Sequence, residues 1–156
     1  SMKKIITLCL LIAISCNGTK EDERFSSDKI KIDYYISENT KKLDFPFSDA
    51  TIVNNIVYIS GQVGNFPGTD KVVSGGIGAE TKQTMKNIES ILTAVGSSMD
   101  NIFKCTCMLS DISEWSAMSE EYKKFFNKYK RPSRSAFAGK GLALGAKVEI
   151  ECWAIK

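Results

Sequence analysis

The 156-residue sequence contains no histidine, and this absence removes several kinds of enzyme site at once. Ser-His-Asp and Cys-His nucleophiles need an imidazole as their base, and many catalytic zinc sites use imidazole ligands. We therefore expect a site whose chemistry works without histidine. We also expect neither a metal nor another cofactor in it.

A strong charge of one sign is also absent. The chain carries 21 basic and 18 acidic residues, a formal net charge of +3. This weak and mixed charge does not favour nucleic acid as a partner, and we expect none. Basic residues gather between Lys123 and Arg131, near the end of a predicted helix, where they complement the helix dipole. The length and a hydrophobic content of 43% indicate one globular domain.

No apolar run is long enough to span a bilayer as a helix, which takes about 20 residues. The run at residues 5–15 is shorter, follows two lysines, and ends at Cys16 in the sequence Ala-Ile-Ser-Cys. This pattern resembles a bacterial lipoprotein signal, whose cysteine is acylated. We predict a lipid on Cys16 and an exported, membrane-anchored lipoprotein on a cell surface or in the periplasm. A plain signal peptide with secretion to the periplasm is the alternative.

The chain divides into three predicted parts. Residues 1–16 are the signal, in which Ser1 precedes a natural start at Met2. Residues 17–29 are polar and charged and form a flexible tether. Residues 30–156 form the folded domain, so contact with a membrane is expected only through the lipid.

Cysteine is scarce in the folded part, which has only Cys105, Cys107 and Cys152. Cys105 and Cys107 share one face of a predicted strand, and no histidine or second cysteine pair completes a metal site. We expect small buried core side chains rather than metal ligands, and we predict no disulfide framework.

Residue periodicity predicts six strands and two helices. The strands cover residues 30–37, 50–53, 56–63, 101–109, 131–137 and 147–154; the helices cover 78–95 and 113–129. The order β-β-β-α-β-α-β-β places two helices on one face of the sheet, so the other face is solvated or buried by oligomerisation. Gly61, inside the third strand, indicates a bulge or a close ligand. The aromatic stripe of the second helix, from Trp115 to Tyr129, is predicted to face the core.

The last two strands carry the functional prediction. Three glycines lie between them, at residues 139–146, so we predict an antiparallel hairpin. In that register Ala136 faces Glu149 and Arg134 faces Glu151. Arg134 and Glu149 then become diagonal neighbours on one face, about 7 Å apart at Cα. This spacing fits a functional site and an ion pair that merely ties strands or subunits together equally well.

Several stretches resemble the reactive-intermediate deaminase A (RidA) family, also called YjgF/YER057c/UK114 or endoribonuclease L-PSP. The resemblance covers roughly residues 30–156, including the helix at 78–96, and is carried by Tyr58-Ile59-Ser60-Gly61-Gln62, Asp111, residues 122–126, Pro132-Ser133-Arg134-Ser135 and Val148-Glu149-Ile150-Glu151. It implies a chorismate-mutase-like α+β fold, with a six-stranded mixed sheet and two helices on one face. It also implies a homotrimer with clefts between its subunits. The implied reaction is hydrolysis of enamines and imines, such as 2-aminoacrylate, to 2-keto acids and ammonia.

The resemblance assigns roles to individual residues. Arg134 stands where active members hold the substrate carboxylate, and Glu149 stands where they direct the attacking water. These two are the predicted catalytic residues. The predicted substrate-binding residues are Phe47, Ser60, Gly61, Ser119 and Ala136. Phe47 stands in place of a frequent tyrosine, Ser119 of a frequent asparagine and Ala136 of a frequent cysteine.

The substitutions at Phe47 and Ser119 leave more than one function open. The first is a deaminase of the 2-iminobutanoate/2-iminopropanoate type, acting on a small 2-imino or 2-enamino acid. The second is a non-catalytic trimer that binds a small ligand such as a 2-keto acid. The third is an endoribonuclease or translation inhibitor, which the lack of histidine and the near-neutral charge disfavour.

Overall fold

The structure is a computed structural model that describes residues 29–156. The predicted signal, its Cys16 and nearly all of the predicted tether lie outside the described residues. The account that follows therefore concerns the folded domain.

Six strands and three helices make up the domain, joined by short 3₁₀ turns. The strands are β1 Ile32–Tyr35, β2 Ala50–Val53, β3 Ile56–Val63, β4 Ile102–Leu109, β5 Ser133–Ala138 and β6 Val148–Ile155. The helices are α1 Glu38–Lys42, α2 Gly76–Ala94 and α3 Trp115–Tyr122. The 3₁₀ turns are Met99–Asn101, Ile112–Glu114, Lys123–Phe125 and Ala143–Gly145.

All six strands form one mixed sheet in the order β1-β2-β3-β6-β4-β5. Neighbours are antiparallel except β4 and β5, which are parallel. Helix α2 connects β3 to β4, and α3 connects β4 to β5, so both are crossover connections of the kind that parallel strands require. The α+β class and the six-stranded mixed sheet are therefore confirmed.

One face of the sheet carries the core. Alternate residues of the central strands point at the helices and are fully buried, as in β6, where Val148, Ile150 and Cys152 are 0% exposed. Helix α2 packs on this face through Met85, Ile88 and Leu92, which lie at helical spacing and are also 0% exposed. The opposite face of the sheet has no covering element among the described residues.

Gly64 lets α2 lie directly against the end of β3. A Cβ at this position would lie 2.6 Å from the carbonyl oxygen of Glu80, closer than side chains tolerate. The buried Glu80 carboxylate accepts a hydrogen bond from the backbone N–H of Lys147, at 2.7 Å. Helix α2 is thereby fixed to β3 and to the start of β6, the strand that carries Glu149.

The first strand is shorter than predicted because a helix follows it. Ser37 caps α1 by accepting a hydrogen bond from the N–H of Thr40, at 3.2 Å. The buried Asp49 accepts from the N–H of Ser37 and from the hydroxyl of Thr40, each at 2.7 Å. These hydrogen bonds hold α1 against the segment that leads into β2.

The second predicted helix also has different ends. Ser113 is not its cap: it lies inside the 3₁₀ turn Ile112–Glu114 that precedes α3, and the Asp111 carboxylate caps this turn by accepting from the N–H of Ser113 at 2.9 Å. The regular helix ends at Tyr122 and continues only as a 3₁₀ turn. Tyr129 is consequently 83% exposed, and the prediction that it faces the core is wrong.

The predicted hairpin between the last two strands is wrong. Strand β4 lies between them: Cys105 is opposite Cys152 of β6 on one side and beside Arg134 of β5 on the other. Ala136 lies beside Cys107 and not opposite Glu149. The reason is the helix before β5, which returns the chain parallel to β4, so the glycine-rich segment carries it past β4 and not back on itself.

This sheet order also corrects the cysteine prediction. Cys105 and Cys152 face each other across β4 and β6 and form a disulfide, with Cα atoms 4.1 Å apart. Cys107 remains a free thiol and is buried, as expected. Burial raises the pKa of Cys107 to about 11, with the charge of Arg134 opposing the shift, so this thiol is protonated at neutral pH.

Candidate active site

Arg134 lies on the helix-facing side of the edge strand β5, where its guanidinium contacts side chains of α3. One guanidinium nitrogen, Nη2, donates to Ser119 Oγ at 3.0 Å. The guanidinium carbon Cζ lies 4.9 Å from the centre of the Tyr122 ring and 5.4 Å from that of Trp115. Nη1 also reaches the sulfur of Met118 at 3.9 Å. These contacts hold the group in place by cation–π attraction and leave other N–H donors for a ligand.

The residues around Arg134 share one side of α3. Trp115, Ser119 and Tyr122 follow the i, i+4, i+7 spacing that places side chains on one helical face. Tyr122 is 4% exposed and belongs to the core, as predicted, and its burial raises the pKa of its hydroxyl. Trp115 is 45% exposed, so the prediction that it is a core residue is wrong. The same periodicity could have indicated it as a neighbour of Ser119.

Glu149 lies on the other face of the sheet, in β6, against the bulge of β3. A Cβ at Gly61 would overlap Glu149 Oε1, and the register of β3 on β6 shifts between Ile59 and Gln62. Gly61 therefore marks a bulge that the Glu149 carboxylate approaches closely. Partial burial raises the pKa of Glu149, and the neighbouring negative charge of Glu151 raises it further.

A cavity of about 490 Å³ opens beside Glu149. Its lining includes Phe47 and Gly61, so the structure brings three of the predicted site residues together. Phe47 stacks on Phe45 with ring centres 5.3 Å apart and planes 19° apart. Ser60 lies outside the lining, and its hydroxyl donates to the carbonyl of Ser48 at 2.6 Å, which supports the segment after Phe47.

The predicted site residues thus form two groups within one chain. Arg134 and Ser119 touch each other at the edge strand, and Ala136 lies on the same side of that strand, partly buried against the core. Glu149 is on β6 and points to the opposite face, with β4 between. Strand spacing and register put the Cα atoms of Arg134 and Glu149 roughly 14 Å apart. The prediction that they share one face is wrong.

Among residues 29–156, no three or more Cys, Asp or Glu side chains lie close enough together to hold an ion.

An ion pair near β6 joins the Lys147 ammonium to the Glu114 carboxylate at 3.0 Å. The hydrogen bond to Glu114 and its negative charge raise the pKa of Lys147. The pair links the start of β6 to the turn before α3 and thus has a structural role.

Comparison with known proteins gives relatives of similar length and fold. The chain is 40% identical to human 2-iminobutanoate/2-iminopropanoate deaminase over 111 residues, which is 71% of this chain and 80% of that protein. It is 36% identical over 127 residues to the Arabidopsis thaliana protein named Reactive Intermediate Deaminase A, chloroplastic, covering 81% and 67% of the two chains. The crystal structure of the yeast protein YEO7 covers 81% of this chain and 99% of its own, with a TM-score of 0.74 and 32% identity.

These relatives contradict the predicted location. The Arabidopsis relative is named as a chloroplastic protein, and neither its name nor that of the human deaminase describes an exported lipoprotein. The prediction of a lipid-anchored, exported protein, and its alternative of periplasmic secretion, are therefore wrong. Within residues 29–156, no helix has the length and apolar character needed to cross a membrane.

The family assignment follows from sequence and fold together. The profile of the family described as Endoribonuclease L-PSP matches residues 40–156, nearly the whole described domain. The structure of a conserved Rid-family protein, YyfA from Yersinia pestis, covers 81% of this chain and all of its own, with 32% identity and a TM-score of 0.74. The chain therefore belongs to the Endoribonuclease L-PSP family, which the sequence motifs around Arg134 and Glu149 had indicated.

Proposed function

We propose that this protein is a deaminase that hydrolyses 2-imino acids, and their 2-enamino tautomers, to 2-keto acids and ammonia. In this reaction water adds to the imine carbon, the carbon–nitrogen bond breaks, and the oxygen of water becomes the keto oxygen. The nitrogen leaves as ammonia with the protons it has gained. The names of the human and Arabidopsis relatives support this chemistry.

The setting of Arg134 is the observation that carries the proposal. Ser119 and the rings of Trp115 and Tyr122 hold the guanidinium, which keeps donors directed away from these contacts. A planar guanidinium suits a carboxylate because it donates two parallel hydrogen bonds. The carboxylate common to all 2-imino acids is the group that we expect Arg134 to bind.

Glu149 is the proposed base for the attacking water. Its raised pKa brings it closer to neutrality than an ordinary glutamate, which suits a group that must accept a proton and return it. The imine carbon is already electrophilic, so orientation of the substrate and one carboxylate can supply the chemistry without histidine. Gly61 allows the carboxylate and a substrate to approach the backbone of β3.

The two groups can act on one substrate only if the site is shared between copies of the chain. Arg134 and Glu149 lie on opposite faces of one sheet, whereas a cleft between two copies can bring Arg134 of one copy to the Glu149 cavity of the next. The uncovered sheet face supports association. It exposes apolar side chains, among them Tyr34 at 68% and Trp153 at 38%, and Trp153 contacts Tyr58 with ring centres 5.0 Å apart. We propose a homotrimer, as the family resemblance implies.

The test of the proposed function compares the wild type with Arg134→Ala. Imines are generated in place by an amino-acid oxidase, and their loss is followed spectroscopically. Loss of two charge-assisted hydrogen bonds predicts a fall in kcat/KM of about 100-fold or more. Arg131→Ala, which removes an exposed arginine in the segment just before β5, is the matched control and should retain wild-type rates.

Two results would contradict the proposal. Equal rates for the wild type and Arg134→Ala would remove the proposed role of the arginine. Binding of a 2-keto acid by the wild type with no turnover of any imine would favour the non-catalytic ligand-binding alternative.

A further inference from the structure

The cavity beside Glu149 is larger than the smallest substrates of the proposed reaction need. Its volume of about 490 Å³ lies in the range of pockets that bind drug-sized ligands. The imine of alanine occupies only about the volume of four water molecules, roughly 120 Å³. Most of the cavity would therefore stay filled with water if the substrate were that small.

One wall of this cavity is apolar. It is formed by the segment before β2 and the turn before β6, with Leu43, Phe45, Phe47 and Leu144 among its lining residues. Phe47 is 45% exposed and Leu144 is also 45% exposed, so both present apolar surface that a ligand can cover. The stacked rings of Phe45 and Phe47 carry no hydroxyl, so these two side chains cannot hydrogen-bond a polar substituent.

Two of the buried or partly buried polar groups in the lining, Asp49 and Asn87, already have partners. Asp49 accepts from Ser37 and Thr40, each at 2.7 Å. The side-chain amide of Asn87 donates to the carbonyl oxygens of Val63, at 3.0 Å, and Asn65, at 3.1 Å. These groups hold the walls together, and the apolar contact that the cavity offers a ligand comes from Phe45, Phe47 and Leu144.

We propose that the preferred substrates are 2-imino acids with a bulky apolar side chain, branched aliphatic or aromatic, rather than those of alanine size. The inference rests on the proposed deaminase function. With the imine carbon near Glu149, the side chain lies along Phe45 and Phe47, while the carboxylate points to Arg134 of a neighbouring copy. Burial of each added apolar group against this wall strengthens binding in the transition state as well as in the ground state.

The experiment measures kcat/KM for imines made in place from alanine, leucine and phenylalanine. We expect the leucine or phenylalanine imine to exceed the alanine imine by at least about tenfold, within the range that a few methylene groups supply. Phe47→Ala should lower this preference ratio about tenfold. Phe66→Ala is the matched control, because Phe66 is 52% exposed but lies outside the cavity lining, and it should keep the wild-type ratio.

Direct binding separates this inference from the proposed function. Calorimetry with pyruvate and the keto acids of leucine and phenylalanine should give the same order of preference. Bulky keto acids that bind more tightly, with no imine turned over, would support the apolar wall and overturn the deaminase. Turnover that is fastest with the alanine imine, or a preference ratio that Phe47→Ala does not change, would overturn the inference and leave the deaminase standing. Absence of both binding and turnover would overturn both.

Discussion

Side chains on one face of the short helix α3 hold the Arg134 guanidinium in position. The guanidinium lies near two aromatic rings and hydrogen-bonds to Ser119, so its position does not depend on a bound substrate. Such preorganisation reduces the conformational entropy lost when a carboxylate binds. Ser119 is shorter than the asparagine that the family resemblance implies at this position, yet its hydroxyl oxygen accepts a hydrogen bond from Arg134.

The aromatic setting predicts a specific loss in Trp115→Leu. A cation–π contact at a partly exposed site contributes about 0.5–1 kcal/mol, so KM should rise about two- to fivefold with little change in kcat. Steady-state kinetics on one imine measures this. Tyr129→Leu is the control, since Lys128 lies 4.7 Å from the Tyr129 ring in an exposed pair away from the site. An unchanged KM in Trp115→Leu would show that the ring does not position Arg134.

The pair of carboxylates on β6 predicts how activity depends on pH. Glu149 must be ionised to act as a base, and its pKa is raised by burial and by the charge of Glu151. Activity should therefore fall as the pH drops through a pKa above the ordinary glutamate range. Glu151→Gln removes the repulsion, lowers the pKa of Glu149, and should shift the acid limb of the kcat/KM profile to lower pH. The exposed Glu89→Gln should leave the limb in place, and a shift to higher pH in Glu151→Gln would contradict the assignment.

Among single residues, the family resemblance of their motifs indicated Arg134 and Glu149 as site residues, and their roles in a site stay a prediction. The neighbours of Arg134 were harder to predict. The aromatic stripe of α3 has the spacing of a core face, and Tyr122 follows it. Trp115 sits at the first turn of the helix, where its ring leaves the core and reaches toward the edge strand. Periodicity predicts on which side of a helix a residue lies, but it does not predict how deeply the residue is buried.

Strand β4 connects the two groups of proposed site residues. It lies between β6, which carries Glu149, and β5, which carries Arg134. The disulfide between Cys105 and Cys152 joins β4 to β6 in the buried layer beneath the helices. Arg134 lies next to Cys105 in the strand register, so the cross-link also supports the edge strand through β4.

Removal of this cross-link should lower stability substantially. The two cysteines are 47 residues apart, and closing a loop of that length predicts a loss of about 4 kcal/mol in Cys105→Ala/Cys152→Ala. Denaturant unfolding at one fixed protein concentration measures the change, and digestion without reduction should yield the linked peptides in the wild type. Cys107→Ala, which removes a buried thiol without a cross-link, should cost only about 1 kcal/mol. A double variant no less stable than this control would contradict a stabilising disulfide.

Sequence patterns predicted the elements better than their arrangement. The alternation at residues 50–53 and 56–63 gave β2 and β3 with the observed bounds. The same alternation did not predict that β5 pairs with β4. Alternation along a strand indicates which of its faces is buried, but it does not indicate which strand lies beside it. The disulfide escaped prediction for the same reason, since Cys105 and Cys152 meet only in the observed strand order. Helix α1, of five residues, was too short to show a period.

In the molecule as a whole, the two groups of proposed site residues lie on opposite faces of the sheet within one chain. The Glu149 cavity opens near α1 and α2, and Arg134 stands at the far edge of the sheet on its helix-facing side. The uncovered face exposes the aromatic cluster of Tyr58, Phe103 and Trp153, in which the Phe103 and Trp153 ring centres are 6.4 Å apart. These features together argue that the active unit is an assembly of copies.

Complementation between two inactive variants tests this central claim most directly. Arg134→Ala and Glu149→Gln are each expected to be inactive, and the two chains are co-expressed with different tags so that mixed assemblies can be isolated and their mass measured. If each site takes Arg134 from one copy and Glu149 from the next, every mixed cyclic homotrimer contains one complete site out of three, about a third of the wild-type sites. The account predicts that mixed assemblies regain roughly that share of wild-type imine hydrolysis. Mixed assemblies that stay as inactive as either variant alone would contradict a site shared between copies.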